Sequence, residues 1–251
     1  MAARGVGAGA ASGLQRVEAG QAILAIDAGP PPDQTANTAA HAGALAFELS
    51  DGDERIVANI GGVHGTGRAL DPMLAEGVRM TAAHSTLTLA DTNQSLVDGT
   101  HSLGPGVDAV EVERRESEEG HWLALSHDGY RARHGLTHER EIFLDPAGRD
   151  LRGQDRLTPQ GKKAKRPRAF AIRFHLTPGI DVSPTADGRG AVLKTKGGRM
   201  WQFKQSGGTL ALDDSLWIGE DARALATRQL VVTGDTDETG ATVKWRFNKL
   251  G

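Results

Sequence analysis

The side chains in this chain with chemistry to offer are its histidines, nine in 251 residues. A neutral imidazole moves protons near pH 7 and ligates zinc. Two groups stand out. His41 lies in AHAGALAFEL (40–49) and His84 heads HSTLTLADTNQ (84–94). The second group is Tyr130, Arg131, Arg133, His134 and His138, in HDGYRARHGLTH (127–138). Guanidinium groups capture carboxylates through two parallel hydrogen bonds, so this group suits an acidic ligand. Spacing alone makes no metal motif. There is no HExxH, and His134 and His138 fall in a segment read as strand or loop, where a separation of four does not align them. Each group also has a plain structural reading. His41 and His84 can hydrogen-bond each other or nearby backbone and hold strands in register without metal. Tyr130 and His138 can fill core gaps in a hairpin whose arginines are solvated.

The elements that must position these residues read as strands. Leu45, Phe47 and Leu49 alternate with Ala44, Ala46 and Glu48. Ser85, Leu87 and Leu89 alternate with His84, Thr86 and Thr88. Phe170, Ile172, Phe174 and Leu176 alternate with Arg173 and His175, and Val243, Trp245 and Phe247 with Lys244 and Arg246. Period-2 alternation marks a half-buried strand. Turn signals such as SDGDE (50–54), DPAG (145–148) and QSGG (205–208) recur at short intervals, which predicts an all-β fold. The expected architecture is a large antiparallel β-sandwich with long loops and one short helix over 66–80. The run GKKAKRPRA (161–169) reads as a basic surface loop.

Composition bounds the partners. With 38% hydrophobic residues, the chain can bury a large core as one domain, expected over 14–251. A net charge of -3 gives no bulk attraction to nucleic acid. No apolar run reaches the roughly 18–20 residues that span a bilayer. The absence of cysteine excludes disulfides and thiolate metal sites. Residues 1–13, rich in Gly and Ala, lack the apolar stretch of an export signal and read as a disordered lead-in.

The blocks AHAGALAFEL, TAAHSTLTLADTNQ and GYRARHGLTHERE, with the later RDLRGQDRL (149–157) and AFAIRFHLTPGI (169–180), resemble the C-terminal β-domain of the heparinase II/III family of polysaccharide lyases. The likeness runs from about residue 14 to 247. It implies β-elimination at a uronic acid: the C5 carboxylate is neutralised, a base removes the C5 proton, and an acid protonates the departing glycosidic oxygen. In that family the strand matching AHAGALAFEL carries two histidines. The first is associated with the catalytic cleft, and the second binds zinc with an Asp on the next strand and a His heading a later one. The resemblance therefore implies a zinc site at His41, Asn59 and His84. Ala39 stands at the cleft position, so no catalytic residue is assigned. Asn59 replaces a carboxylate, which weakens the hold on a dication. The arginine-rich block is implied to contact an acidic polysaccharide through Tyr130, Arg131, Arg133, His134 and His138.

The family's base and acid come mainly from an N-terminal α/α toroid, which nothing in this chain resembles. The expectation is the β-sandwich portion of a lyase, inactive alone and completed by a toroid in cis or in trans. A stand-alone acidic-carbohydrate-binding or structural sandwich is the alternative. The family's setting is periplasmic; expressed as given, without an export signal, the chain is expected to be cytoplasmic.

Overall fold

In a computed structural model the described residues are 13–32, 40–61, 70–98, 102–161, 166–219 and 222–251. Most of the lead-in, Ala39, Lys162, Lys163 and Lys165 lie outside them. The sandwich expected from the alternation is the fold that forms, with sixteen strands and two short helices among the described residues.

The first sheet runs β1 (Leu14–Ala19), β2 (Ala22–Asp27), β3 (Phe47–Asp51), β4 (Glu54–Ala58), β10 (Ala169–Leu176), β15 (Ala224–Asp235) and β14 (Thr209–Ile218), with β5 (Leu87–Leu89) also paired to β10. The second runs β11 (Asp181–Pro184), β12 (Gly190–Lys194), β13 (Met200–Ser206), β16 (Ala241–Leu250), β9 (Asp150–Pro159), β8 (Leu136–Leu144), β7 (Gly120–His127) and β6 (Val110–Ser117). Every strand pair is antiparallel.

The inward faces meet in one aromatic cluster. Phe47 and Phe174 come from the first sheet, and Phe203, Trp245 and Phe247 from the second. The Trp245 indole stacks on Phe47 with ring centroids 5.2 Å apart and planes within 7°. It reaches that position because its cross-strand partner is Gly153. A Cβ there would stand 2.1 Å from Trp245 Cζ2.

Of the helix expected over 66–80, residues 66–69 lie outside the described residues; within 70–80 α1 covers Pro72–Gly77, and a 3-10 turn follows at Thr81–Ala83. Pro72 sits in the first turn, where its missing N–H costs nothing, and Asp71 caps it by accepting from the Met73 N–H at 3.0 Å. A second helix, α2 (Arg131–His134), interrupts what the sequence suggests is continuous strand or loop.

Candidate functional site

The second histidine group is built around a buried charge. β8 turns Leu136, His138, Arg140, Ile142 and Leu144 inward, and β9 turns Asp155 inward to meet them. Register places Arg140 directly opposite Asp155, and His138 opposite His127. Arg140 grips Asp155 through two hydrogen bonds from one edge of its guanidinium, Nε to Oδ1 at 2.7 Å and Nη2 to Oδ2 at 3.0 Å. Trp245 Nε1 donates to the same carboxylate at 2.7 Å. Arg140 Nη1 crosses the sandwich to the carbonyls of Leu45 and Ser85, at 2.7 and 2.8 Å.

The tautomers of the two histidines follow from this wiring. The Gly129 N–H donates to His127 Nδ1 at 3.1 Å, so His127 carries its proton on Nε2. That proton goes to His138 Nδ1, 3.1 Å away. His138 is thus protonated on Nε2, which donates to Asp155 Oδ1 at 2.7 Å. Burial pushes both imidazoles below their ordinary value, His127 furthest. Burial alone would raise the Asp155 carboxyl, but Arg140 and His138 together hold it below the usual carboxylate range.

Of the five residues read as glycan contacts, Tyr130 and His138 therefore sit in the core, each 0% exposed. The inward phase of β8 puts His138 there. The Tyr130 hydroxyl donates to the Leu87 carbonyl at 2.8 Å, and burial raises its pKa further above the phenol range. Arg131 and Arg133 are exposed on α2, and His134 is half-buried. His134 Nε2 meets Thr92 Oγ1 at 3.0 Å, while its Nδ1 has no hydrogen-bond partner. Burial, then the charges of Arg133 and Arg168, depress its pKa. Arg168 belongs to the basic run, so that run's end and Arg133 of α2 act on one side chain.

The first histidine group lies on the other side of the loop after β5. Asn93 links the two groups: its carbonyl takes the Arg133 guanidinium, and its Oδ1 takes the Thr81 N–H at 2.9 Å. The His84 ring packs on the bare face of Gly43, where a Cβ would stand 3.0 Å from His84 Cγ. His41 lies beside it, ring centroids 5.2 Å apart. Burial, with the neighbouring His41 and His175, drives the His84 pKa well down, and its Nε2 has no partner. This unpartnered nitrogen is the feature that would welcome a metal.

The third donor does not complete a zinc set. Asn59 Oδ1 accepts from the Ser85 N–H at 2.8 Å, and Nδ2 donates to Glu48 at 3.3 Å. His175 is also committed, to Ser215 Oγ at 2.7 Å and the Ala82 carbonyl at 3.0 Å. Among the described residues no three His, Cys, Asp or Glu gather at metal distance. Two imidazoles and a neutral amide oxygen that already accepts one hydrogen bond make a weak donor set for Zn²⁺, even with a water in the fourth position.

Reading the sequence alone misses Arg140 and Asp155, although a signal was available. Both are charged residues at inward positions of strands whose alternation is otherwise apolar.

FtsZ-localized protein C of Caulobacter vibrioides is 29% identical over 259 residues, covering 98% of this chain and 44% of that protein. The structure of heparan sulfate lyase HepC from Pedobacter heparinus superposes with a TM-score of 0.69 at 14% identity, over 91% of this chain and 33% of that one. Heparinase III gives 0.70 at 12% identity, over 94% and 35%. The chain thus spans less than half the length of these relatives. The model of the family described as heparinase II/III-like, C-terminal, matches residues 1–246, and the chain belongs to that family.

Proposed function

We propose that this chain is the C-terminal β-sandwich portion of a polysaccharide lyase that cleaves uronic-acid glycans by β-elimination, and that by itself it binds glycan without cleaving it. The observation that carries this reading is the cationic end of the sandwich, where Arg133 and Arg168 both act on His134 and Arg131 stands exposed on the same helix. In β-elimination, cations neutralise the C5 carboxylate and so ease removal of the C5 proton. Arg131 and Arg133 are suited to that binding step. Proton removal and leaving-group protonation fall to a toroid, in cis or in trans. Here Tyr130 spends its proton on Leu87, and His127 and His138 are sealed in the core. The reading carries with it the periplasmic setting of the family and gives zinc no part.

The test pairs an eliminase assay, read from the absorbance of the unsaturated product, with titration of heparan sulfate and other acidic oligosaccharides. The expected result is no product and saturable binding. Arg131→Ala or Arg133→Ala should each weaken that binding about tenfold, the loss of one charge-assisted contact. Product formed by the chain alone would overturn the inactivity. A flat titration would favour the second reading, an interaction domain without glycan contact. That reading is supported by the relative whose name describes localisation with FtsZ.

A further inference from the structure

The outer face of the second sheet, away from both histidine groups, carries a groove of about 400 Å³. Its residues follow from strand register. One cross-strand row runs Arg115, Trp122, Phe143, Arg152, Arg246 and Lys204. The next runs Glu141, Gln154, Lys244 and Ser206. These are the outward positions, where alternation calls for small polar side chains. Two half-buried aromatic rings stand there instead.

The groove's charge opposes that of the molecule. The chain carries a net -3, yet the lining has four cations, Arg152, Lys204, Lys244 and Arg246, against Glu141. Arg152 and Arg246 share one carboxylate, Asp150. Among the described residues Lys204 and Lys244 have no ion-pair partner, and both are exposed. The groove therefore pairs an apolar floor with a rim in which cations outnumber carboxylates.

We propose that this groove docks an acidic peptide segment of a partner protein, anchored by an apolar side chain on the Trp122–Phe143 floor. Charge complementarity selects the acidic flanks, and the floor selects the anchor, since buried apolar and aromatic contacts carry most interface energy. The stacking geometry separates this occupant from a sugar polymer. Arg115 lies over the Trp122 ring, 4.9 Å from its centroid, and Arg152 over Phe143 at 5.7 Å. Each ring thus has a guanidinium on one face, where a pyranose would stack.

The test uses the 251-residue chain and a fluorescein-labelled peptide of aspartates and glutamates around a Phe-Leu pair, followed by anisotropy. Saturable binding is expected, weakening with added salt. Lys204→Glu/Lys244→Glu should weaken it about tenfold or more, as should replacing Phe-Leu by Ser-Ser in the peptide. Both lysines are exposed, so an unchanged melting temperature verifies the variant, and Lys204→Ser/Lys244→Ser serves if the charge reversal disturbs folding. Absence of binding overturns the proposal, as does binding indifferent to both changes. A groove that instead takes heparan sulfate fragments or phosphatidylglycerol vesicles, with the lysine variants abolishing that uptake and the peptide inert, also overturns it.

Discussion

Single residues decide which histidines can do chemistry. His127, His138 and His175 are buried and neutral, with pKa values below the ordinary imidazole, His175 at about 4. In the unfolded chain each protonates near pH 6.5. Below that pH the unfolded state therefore binds more protons, and stability falls as pH drops toward the folded values. Each histidine contributes at most about 1.4 kcal/mol per pH unit in that window. Asp27 acts in reverse: burial raises it to about 6, so its contribution is present at low pH and fades as pH climbs from about 3.8 to 6. Three groups outweigh one, and the urea midpoint should fall between pH 7 and pH 5; a midpoint that rises would refute the neutral histidine chain. Zinc is also decided at this scale. Because Asn59 spends both polar atoms on protein partners, added zinc should leave the melting temperature unchanged and bind at well under one equivalent. A clear upward shift would show that Asn59 yields its oxygen to a metal.

Among the elements, β8 and β9 matter most, because they hold Arg140 against Asp155 and extend it to Leu45 and Ser85 in the opposite layer. Arg140→Met removes one partner of a buried pair and strips two carbonyls of a donor, a loss of about 3–5 kcal/mol. Arg140→Met/Asp155→Asn removes the stranded charge while leaving an oxygen for His138 and Trp245, and should unfold at a higher urea concentration than the single variant. If the double variant is the weaker of the two, the pair is not the origin of the cost. The strands themselves were largely legible: β10 and β16 coincide with the alternating segments around Phe174 and Trp245. The stretch 84–89 was less so. Only Leu87–Leu89 is strand, and all six residues are buried. Both of its sides are covered by other parts of the chain, so alternation there no longer separates core from solvent. α2 was not legible either, since four residues are too few for a helical period to show.

For the whole molecule, the aromatic cluster joins both sheets in one core, through the Phe47–Trp245 stack and the edge contact of Phe174 with Trp245. Strand content and aromatic environment should therefore be lost together. Far-ultraviolet and near-ultraviolet circular dichroism are expected to give coincident urea transitions, and two separated transitions would mean that the layers unfold independently. The sequence by itself determined the class of fold, the family likeness and the grouping of arginines with histidines. These depend on residue type and local period, which survive in one dimension. Only the tertiary structure decided that Tyr130 and His138 face inward, that Arg168 joins Arg133 at His134, and that Trp122 and Phe143 line a cationic groove. Those outcomes depend on which strands are neighbours and in what register, and pairing across tens of residues leaves no mark in the local pattern.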